Sequence, residues 1–592
     1  VYLLTLAPSI TWQHHGADSA ELAVAAAVLG VPHPPGYPTW TLLAWLFTHL
    51  PLAELAQRVA LLSAFSAAAT VAIVVWLVQA LWPHQPGQRA AAVLAGLTLA
   101  FQHTFWSQAI LVEVYALHAL FVALICALTL PQAPGHPGRR RVAAFLFGLG
   151  LGNHLSLIFF APLLLWDGSP RFDGGAIVSA AQSRGFRDLT LLPLPLLAGL
   201  AVYLYLPLAA GRHPVLLWGD ATTPGGFWWL VSGQLYRGAL FGLTVPEMLM
   251  RAQSWLSLLA QPLTWPGLIL AALGLWRLAT QARRLALLTV GVALMVAIVA
   301  LGYATADAFV YLLPLQVLAA LWQAAGVLTL AAWLTRGVTA QAAPLPPNRG
   351  GKSIRLPQDW GAGGHSGRYR DHSHCLVAWL TRGRADGWIW LLCLLPVALL
   401  WHNWANVDLS RDTEARQYAL AALAAAAPDA LLIADGDEHA FALWYAQDGL
   451  GERPDVAIVE RTLWNFDWYR RHLVQRWPDL SAAAGPDVND LIESQRGRRP
   501  IFITDPDEDM ALRFELKPVG TLFEVAWPGS PRTDREHAPA PPVVSRSPAP
   551  PTSRSDSSRS TAPCLESAPA RSCRPRCWRA RSVNPPAASQ CT

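Results

Sequence analysis

Apolar stretches of 18 or more residues recur along the first 400 residues of this chain. Each is long enough to cross a hydrocarbon core about 30 Å thick. No other feature constrains the fold as strongly. A backbone inside lipid must satisfy its own N–H and C=O groups, so such a chain folds as a bundle of helices. Composition agrees: 53% of the 592 residues are hydrophobic and only 14% are charged, where a soluble protein has about a quarter. The chain reads as a polytopic α-helical membrane protein whose first partner is the lipid bilayer. Its net charge of +5 is spread along the chain and points to no nucleic acid.

The candidate spans are 1–8, 59–82, 90–110, 114–131, 142–166, 188–208, 254–276, 285–303, 309–335 and 387–403. The first is too short to cross and reads as the outer end of a helix whose beginning is missing. No cleavable signal peptide is visible. The apolar segment 38–50 is short and ends at Pro51, so it reads as an interfacial or re-entrant helix. Lys and Arg mark cytoplasmic loops. Arg139-Arg140-Arg141, Arg171/Arg184/Arg187, Arg277/Arg283/Arg284 and the loop after Arg336 fall there. That places 9–58, 111–113, 209–253, 304–308 and everything after 404 outside a cell inner or plasma membrane. The segment 142–166 has basic loops on both sides, so it must cross an even number of times. A hairpin of two half-helices broken near Gly150-Leu-Gly-Asn-His154 satisfies that count.

Beyond residue 335 the chain changes character twice. Residues 336–386 are rich in Gly, Pro and Arg and read as a disordered cytoplasmic linker or insertion before the last span, 387–403. Residues 410–528 alternate helical patterns with short apolar runs. Arg411 to Ala427 and Trp468 to Trp477 suit helices. Ala430–Ala434, Asp455–Val459 and Pro500–Thr504 suit strands, and Phe514–Val525 a hairpin. That alternation predicts a small extracytoplasmic α/β domain with a parallel sheet. Residues 529–592 are Pro, Ser, Arg and Ala with few aliphatics, which suits disorder and a frameshifted gene end. Among the cysteines, Cys126 and Cys393 lie in apolar spans, and the Cys573–Cys577 pair has no second pair to complete a zinc site.

The residues able to do chemistry gather near the outer ends of the spans. Asp18 and Glu21 stand three apart, on one face of a helix. They suit a helix cap or a catalytic pair equally. His33-Pro34-Pro35-Gly36-Tyr37-Pro38 is a stiff turn, either a plain connector or a wall presenting His33 and Tyr37 to a polar headgroup. Arg58 opens the second span, where an arginine snorkels to lipid phosphate or holds a substrate phosphate. Glu113, Tyr115 and His118 sit at the outer end of another span. Asn153 and His154 interrupt an apolar stretch, where polar groups need partners. Trp218, Asp220, Asp307 and Tyr311 carry less weight. Asp435 and Asp437 follow a strand, where α/β domains bind ligands and where solvated turn residues are common.

Taken together, several motifs resemble one family. They are Tyr2-x-x-Thr5-x-Ala7-Pro8, Asp18-Ser19-Ala20-Glu21, Leu29-Gly30-Val31-x-His33-Pro34-Pro35-Gly36-Tyr37-Pro38 and Arg58-x-x-Leu61-Leu62-Ser63. Glu113-Val114-Tyr115-x-Leu117-His118, Gly152-Asn153-His154 and the stretch from Asp437 to Trp468 continue the pattern. The chain resembles the bacterial protein O-mannosyltransferase-like membrane proteins, of the GT-C glycosyltransferase superfamily, from residue 1 to about 525. The resemblance implies a GT-C-like fold of about 10–12 membrane segments. It implies a sugar donor carried on polyprenyl phosphate and an acidic base in the first outer loop, here Asp18 with Glu21 as neighbour or alternate. The implied reaction is a single inverting displacement by an acceptor hydroxyl of a protein Ser/Thr or a glycan. Arg58 is the first candidate to meet the leaving phosphate, and His33 or His154 the second; Tyr37 adds to that group. Glu113, Tyr115, His118 and Asn153 are candidates to line the cavity. No cofactor and no metal are expected: a divalent ion suits the chemistry, but no ligand spacing indicates one. The truncated first helix, the insertion and the tail depart from the pattern. A lipid or solute transporter or flippase and a non-catalytic envelope assembly protein are the rival readings.

Overall fold

The computed structural model describes residues 1–131, 137–166, 192–341, 392, 394–482 and 485–527. Residues 1–8 hold a 3-10 turn, Tyr2–Leu4, in place of a membrane helix. Two half-length helices follow, α1 (Asp18–Val28) and α2 (Pro38–Thr48). Each is 11 residues, or about 16 Å at 1.5 Å per residue, too short to cross. Pro38 opens α2 at the one helical position where a missing N–H costs nothing.

The bundle proper begins with α3 (Leu55–Leu81). The expected span 90–110 is instead two helices, α4 (Gln88–Ala100) and α5 (His103–Ser107), joined at an extended Gln102. The reason is tertiary. The Asn403 amide donates to the Phe101 carbonyl at 2.7 Å and the Tyr2 hydroxyl to that of Ala100 at 2.9 Å, satisfying the last carbonyls of α4 from far along the chain.

After α6 (Tyr115–Thr129) come α7 (Pro137–Leu151) and a 3-10 segment, Leu155–Leu165. The Arg140 guanidinium, near the start of α7, donates to the carbonyl of Trp166, just past the end of the 3-10 segment, at 2.5 Å. The two arms therefore lie side by side, each about 22 Å long at 1.5 and 2.0 Å per residue. This is the broken hairpin that the basic loops require.

The remaining helices of the bundle are α8 (Pro193–Leu200), α9 (Tyr205–Ala210), α10 (Pro224–Val231), α11 (Val245–Gln281), α12 (Arg283–Gly302), α13 (Leu313–Gln341) and α14 (Leu394–Val407). Helix α11 starts nine residues before the expected 254. Thr244 and Glu247 form a capping box there, and Pro246 falls in the first turn. Helices α11 and α13 cross at Gly274 and Gly326. A Cβ on Gly274 would stand 1.7 Å from the Trp322 carbonyl oxygen, so only glycine allows that approach. Among the described residues, four helical segments are long and apolar enough to cross a membrane: Leu55–Leu81, Pro193–Ala210, Arg283–Gly302 and Ala308–Leu334. Helix α13 carries the first residues of the expected linker, to Gln341. The rest of that linker to 386, Arg171, Arg184, Arg187, Cys393, Cys573, Cys577 and the tail 529–592 lie outside the described residues.

The C-terminal part holds α15 (Glu414–Ala425), β1 (Leu431–Ala434), α16 (Asp437–Trp444), β2 (Ala457–Glu460), α17 (Asp467–Arg476), α18 (Val488–Ser494), β3 (Ile501–Ile503), α19 (Glu508–Arg513), β4 (Glu515–Val519) and β5 (Leu522–Ala526). The sheet order is β2-β1-β3-β5-β4. Strand β1 pairs in parallel with both β2 and β3, and β4–β5 is an antiparallel hairpin. Strands β1, β2 and β3 are buried along their whole length, as the continuous apolar runs predict.

This α/β part is seated on the first sixty residues. Glu54 pairs with Arg416 at 2.8 Å and accepts from the Tyr445 hydroxyl at 2.8 Å and from Ser9. The Trp12 indole donates to the Glu438 carbonyl at 3.1 Å. Helix α16 thereby packs against α1.

Candidate active site

The start of α1, the turn that leads into α2 and the C-terminal domain converge on one cavity of about 910 Å³. Asp18, His33, Tyr37, Tyr115 and His154 line it, as do Tyr236, Arg237, Asp307, Tyr311, Asp435 and Asp437. Leu155, Ile158, Phe159, Val296 and Val299 form an apolar flank.

Helix α1 opens directly on Asp18, and no side-chain cap closes its first turn. Its acids are used differently. Glu21 is fully buried and does not line the cavity. Its carboxylate accepts from the His33 backbone N–H at 2.8 Å and meets His33 Nδ1 at 2.6 Å. The far side of the ring, Nε2, lies 3.1 Å from the Tyr37 hydroxyl and 3.7 Å from Asp18 Oδ2. The turn makes this possible. Gly36 takes φ +88°, and a Cβ there would press on Leu206 at 3.0 Å. Tyr37 is itself left-handed and caps α2.

Glu21, His33 and Asp18 thus form a carboxylate–imidazole–carboxylate chain that ends in the cavity. Burial alone would lower the His33 pKa; Glu21 and Asp18 outweigh it and push the imidazole up to about 10. Burial raises Asp18 to about 6, against the pull of the His33 cation and with help from Glu21 and Asp307. The Asp18 side chain keeps 38% of its surface open, toward the cavity. Such a group is ionised at neutral pH and still basic enough to take a proton.

Arg58, expected near a phosphate, does not line the cavity. Its guanidinium donates to the Thr48 and Leu50 carbonyls at 2.8 and 3.3 Å, closing the C-terminal end of α2. Glu113, His118 and Asn153 are buried behind the wall and likewise do not line it. The Glu113 carbonyl accepts from Trp40 and Ser63, both at 3.2 Å, and Asn153 donates to the Val114 carbonyl at 3.1 Å. These three correct the cavity-lining expectation. Polar groups in an apolar stretch need partners, and here the Val114 N–H serves the Glu113 carboxylate, the Val114 carbonyl serves Asn153 and Ser156 serves His118.

Two residues carry the site further than sequence reasoning did. Arg237 is the only Lys or Arg among the described residues lining the cavity. It comes from a polar loop with no local motif. Asp437 begins α16 at the C-terminal end of β1, between its two parallel neighbours, where open α/β sheets bind ligands. Asp435 is held by Arg461 at 3.4 Å and Asp505 by His439 at 2.7 Å, while the Asp437 carboxylate has no hydrogen-bond or ion-pair partner among the described residues. Burial, then Asp18, raise Asp437 to about 6. It is a cavity residue, not a solvated turn. Among the described residues no group of three or more His, Cys, Asp or Glu is placed to hold a metal ion.

Residues 18–167 match the profile of the Protein O-mannosyl-transferase TMEM260 N-terminal domain, and residues 415–483 that of TMEM260-associated domain 2. The chain is 35% identical over 240 residues to Protein O-mannosyl-transferase TMEM260 of Mus musculus, covering 38% of this chain and 31% of that one. It is 27% identical over 246 residues to Protein O-mannosyl-transferase tmem260 of Dictyostelium discoideum, covering 38% of this chain and 28% of that one. The chain therefore spans less than a third of the length of these curated relatives. The fold is similar to that of ArnT from Cupriavidus metallidurans, solved bound to undecaprenyl phosphate, with a TM-score of 0.50 and 14% identity over 88% of this chain and 95% of that one. The resemblance read from the motifs is borne out: two stretches of this multi-pass membrane chain are similar to protein O-mannosyltransferase domains, and its fold is similar to that of ArnT.

Proposed function

We propose that this protein is a membrane glycosyltransferase that moves a sugar from a polyprenyl-phosphate donor to an acceptor hydroxyl, with inversion. The observation that carries the reading is a cavity of about 910 Å³ lined both by the Asp18 carboxylate and by an apolar flank fit for an isoprenoid. The names of its relatives support mannose as the sugar and a protein hydroxyl as the acceptor. The ligand of its structural neighbour supports the lipid-linked donor.

In this reading the acceptor oxygen attacks the anomeric carbon as its proton passes to Asp18. A new C–O bond forms, the bond to the phosphate oxygen breaks, and the polyprenyl phosphate departs with the electron pair. A positioned base contributes about 10²–10⁴-fold. Arg237 neutralises the leaving phosphate, and a guanidinium suits that geometry. Glu21 holds His33, and His33 with Tyr37 holds Asp18 in place. Asp437 brings the C-terminal domain to the acceptor's side. The basic residues Arg139–Arg141, Arg277, Arg283 and Arg284 support a cytoplasmic location for the opposite end of the bundle, and with it an extracytoplasmic site.

The test uses the full chain in detergent or vesicles with a labelled polyprenyl-phosphate mannose and a hydroxyl-bearing peptide. Label in the peptide, with inverted anomeric configuration, is expected. Movement of the labelled lipid between leaflets without transfer would overturn the reading.

A further inference from the structure

The break between α7 and the 3-10 segment hides a chain of hydrogen bonds that the mechanism above does not use. His154 Nδ1 lies 3.3 Å from the Ser156 backbone N–H, which can only donate. His154 Nδ1 therefore accepts and bears no proton. The Ser156 hydroxyl stands 2.8 Å from that same Nδ1 and 3.0 Å from His118 Nε2. It has one hydrogen. Were that hydrogen given to His118, two lone pairs would face each other across 2.8 Å. The arrangement that closes runs from His118 Nε2–H to the Ser156 oxygen, and from the Ser156 hydroxyl to His154 Nδ1. The one atom of the chain left over is His118 Nδ1, a buried acceptor without a partner among the described residues. The proton of neutral His154 then sits on Nε2, which makes no hydrogen bond among the described residues, on a ring that lines the cavity between Tyr115 and Tyr311, at ring separations of 5.5 and 5.3 Å.

His154 is followed at once by Leu155, Ile158 and Phe159, the apolar flank of the cavity. It stands where a polar headgroup would join an isoprenoid chain. We propose that Ser156 and His118 are positioning residues that lock His154 as the Nε2–H tautomer, so that the cavity offers a neutral N–H donor to a phosphate oxygen of the lipid-linked donor. A neutral donor recognises an oxygen without adding charge, and so complements Arg237. This inference rests on the donor class proposed above.

The test is designed to separate the two. Two-bond ¹H–¹⁵N spectra of the full chain labelled at histidine, with His154 assigned by its loss in His154→Gln, report the tautomer whether or not the protein transfers sugar. The wild type is expected to show the Nε2–H form; Ser156→Ala keeps only the long 3.3 Å bond from the backbone N–H and loses the 2.8 Å bond from the hydroxyl, so a mixture is expected. An Nδ1–H form in the wild type, or an unchanged Nε2–H form in Ser156→Ala, overturns the lock. Addition of undecaprenyl phosphate is expected to shift the Nε2–H resonance. The same shift with undecaprenol, which lacks the phosphate, overturns the phosphate assignment. Where transfer is measurable, Ser156→Ala should raise the donor KM about fivefold, more than it lowers kcat, with Ser156→Thr restoring it. A loss confined to kcat contradicts the positioning role.

Discussion

Replacing His33 with Gln removes the cation beside Asp18 and leaves an amide able to donate to Glu21. The distance from His33 Nε2 to Asp18 Oδ2 is 3.7 Å. A unit charge pair at that distance is worth about 1 kcal/mol in bulk water and about 4.5 kcal/mol at an effective dielectric of about 20. Asp18 keeps 38% of its side chain open, so solvent screening holds the interaction near the lower figure, about 1–2 kcal/mol. That corresponds to about one pKa unit. Losing the cation leaves burial and the neighbouring acids unopposed, so the Asp18 pKa must rise from about 6. The assay is kcat/KM for transfer from a labelled polyprenyl-phosphate sugar between pH 5 and 9. The acid limb is expected to move up by about one unit while the plateau stays within about tenfold of wild type. An acid limb that stays in place, or moves down, in a variant that folds would refute the link between His33 and the base.

The same triad has a signature in stability. The folded-state pKa of His33 is raised to about 10 from its ordinary 6.5. Its stabilisation is therefore complete below about pH 6.5 and lost as pH rises through about 10. The thermal midpoint in detergent should fall across that window, and Glu21→Gln should flatten the fall. Arg237→Ala should raise the donor KM about tenfold, the loss of one charge-assisted contact. Arg58→Ala should lower the thermal midpoint, since it strips two carbonyls of their donor, and leave the donor KM unchanged. Asp437→Asn removes a negative charge near Asp18, so it should shift the acid limb down, opposite to His33→Gln, and raise the acceptor KM. Differential scanning fluorimetry and initial rates check these outcomes.

What sequence reasoning reached here is what local rules govern. Apolar runs gave the helices, and the basic loops at 139–141 and after 166 required a hairpin that the contact from Arg140 to Trp166 closes. Buried strands β1 to β3 read as apolar runs; the capping box at Thr244–Glu247, by contrast, went unread, and α11 starts nine residues before the expected span. The misses are long-range. The break at Gln102 is held by Tyr2 and Asn403, 98 and 302 residues from their partners. Arg58 carries the right chemistry for a phosphate, but the C-terminal end of α2 folds beneath it and takes its hydrogens. Asp437 looked like a turn residue because nothing near it in sequence says that α16 will pack on α1. Arg237 had no motif at all: the turn around Gly233, φ +60°, carries its loop to the cavity rim.

In the proposed reaction everything turns on the proton that leaves the acceptor. Single-turnover transfer by Asp18→Asn, measured with donor bound at saturation, tests it most directly. A folded protein with unchanged donor affinity and a chemical step slowed by at least about 100-fold is the predicted result. Transfer within a few-fold of wild type would contradict it, because the carboxylate at the end of the Glu21–His33 chain would then not be the base.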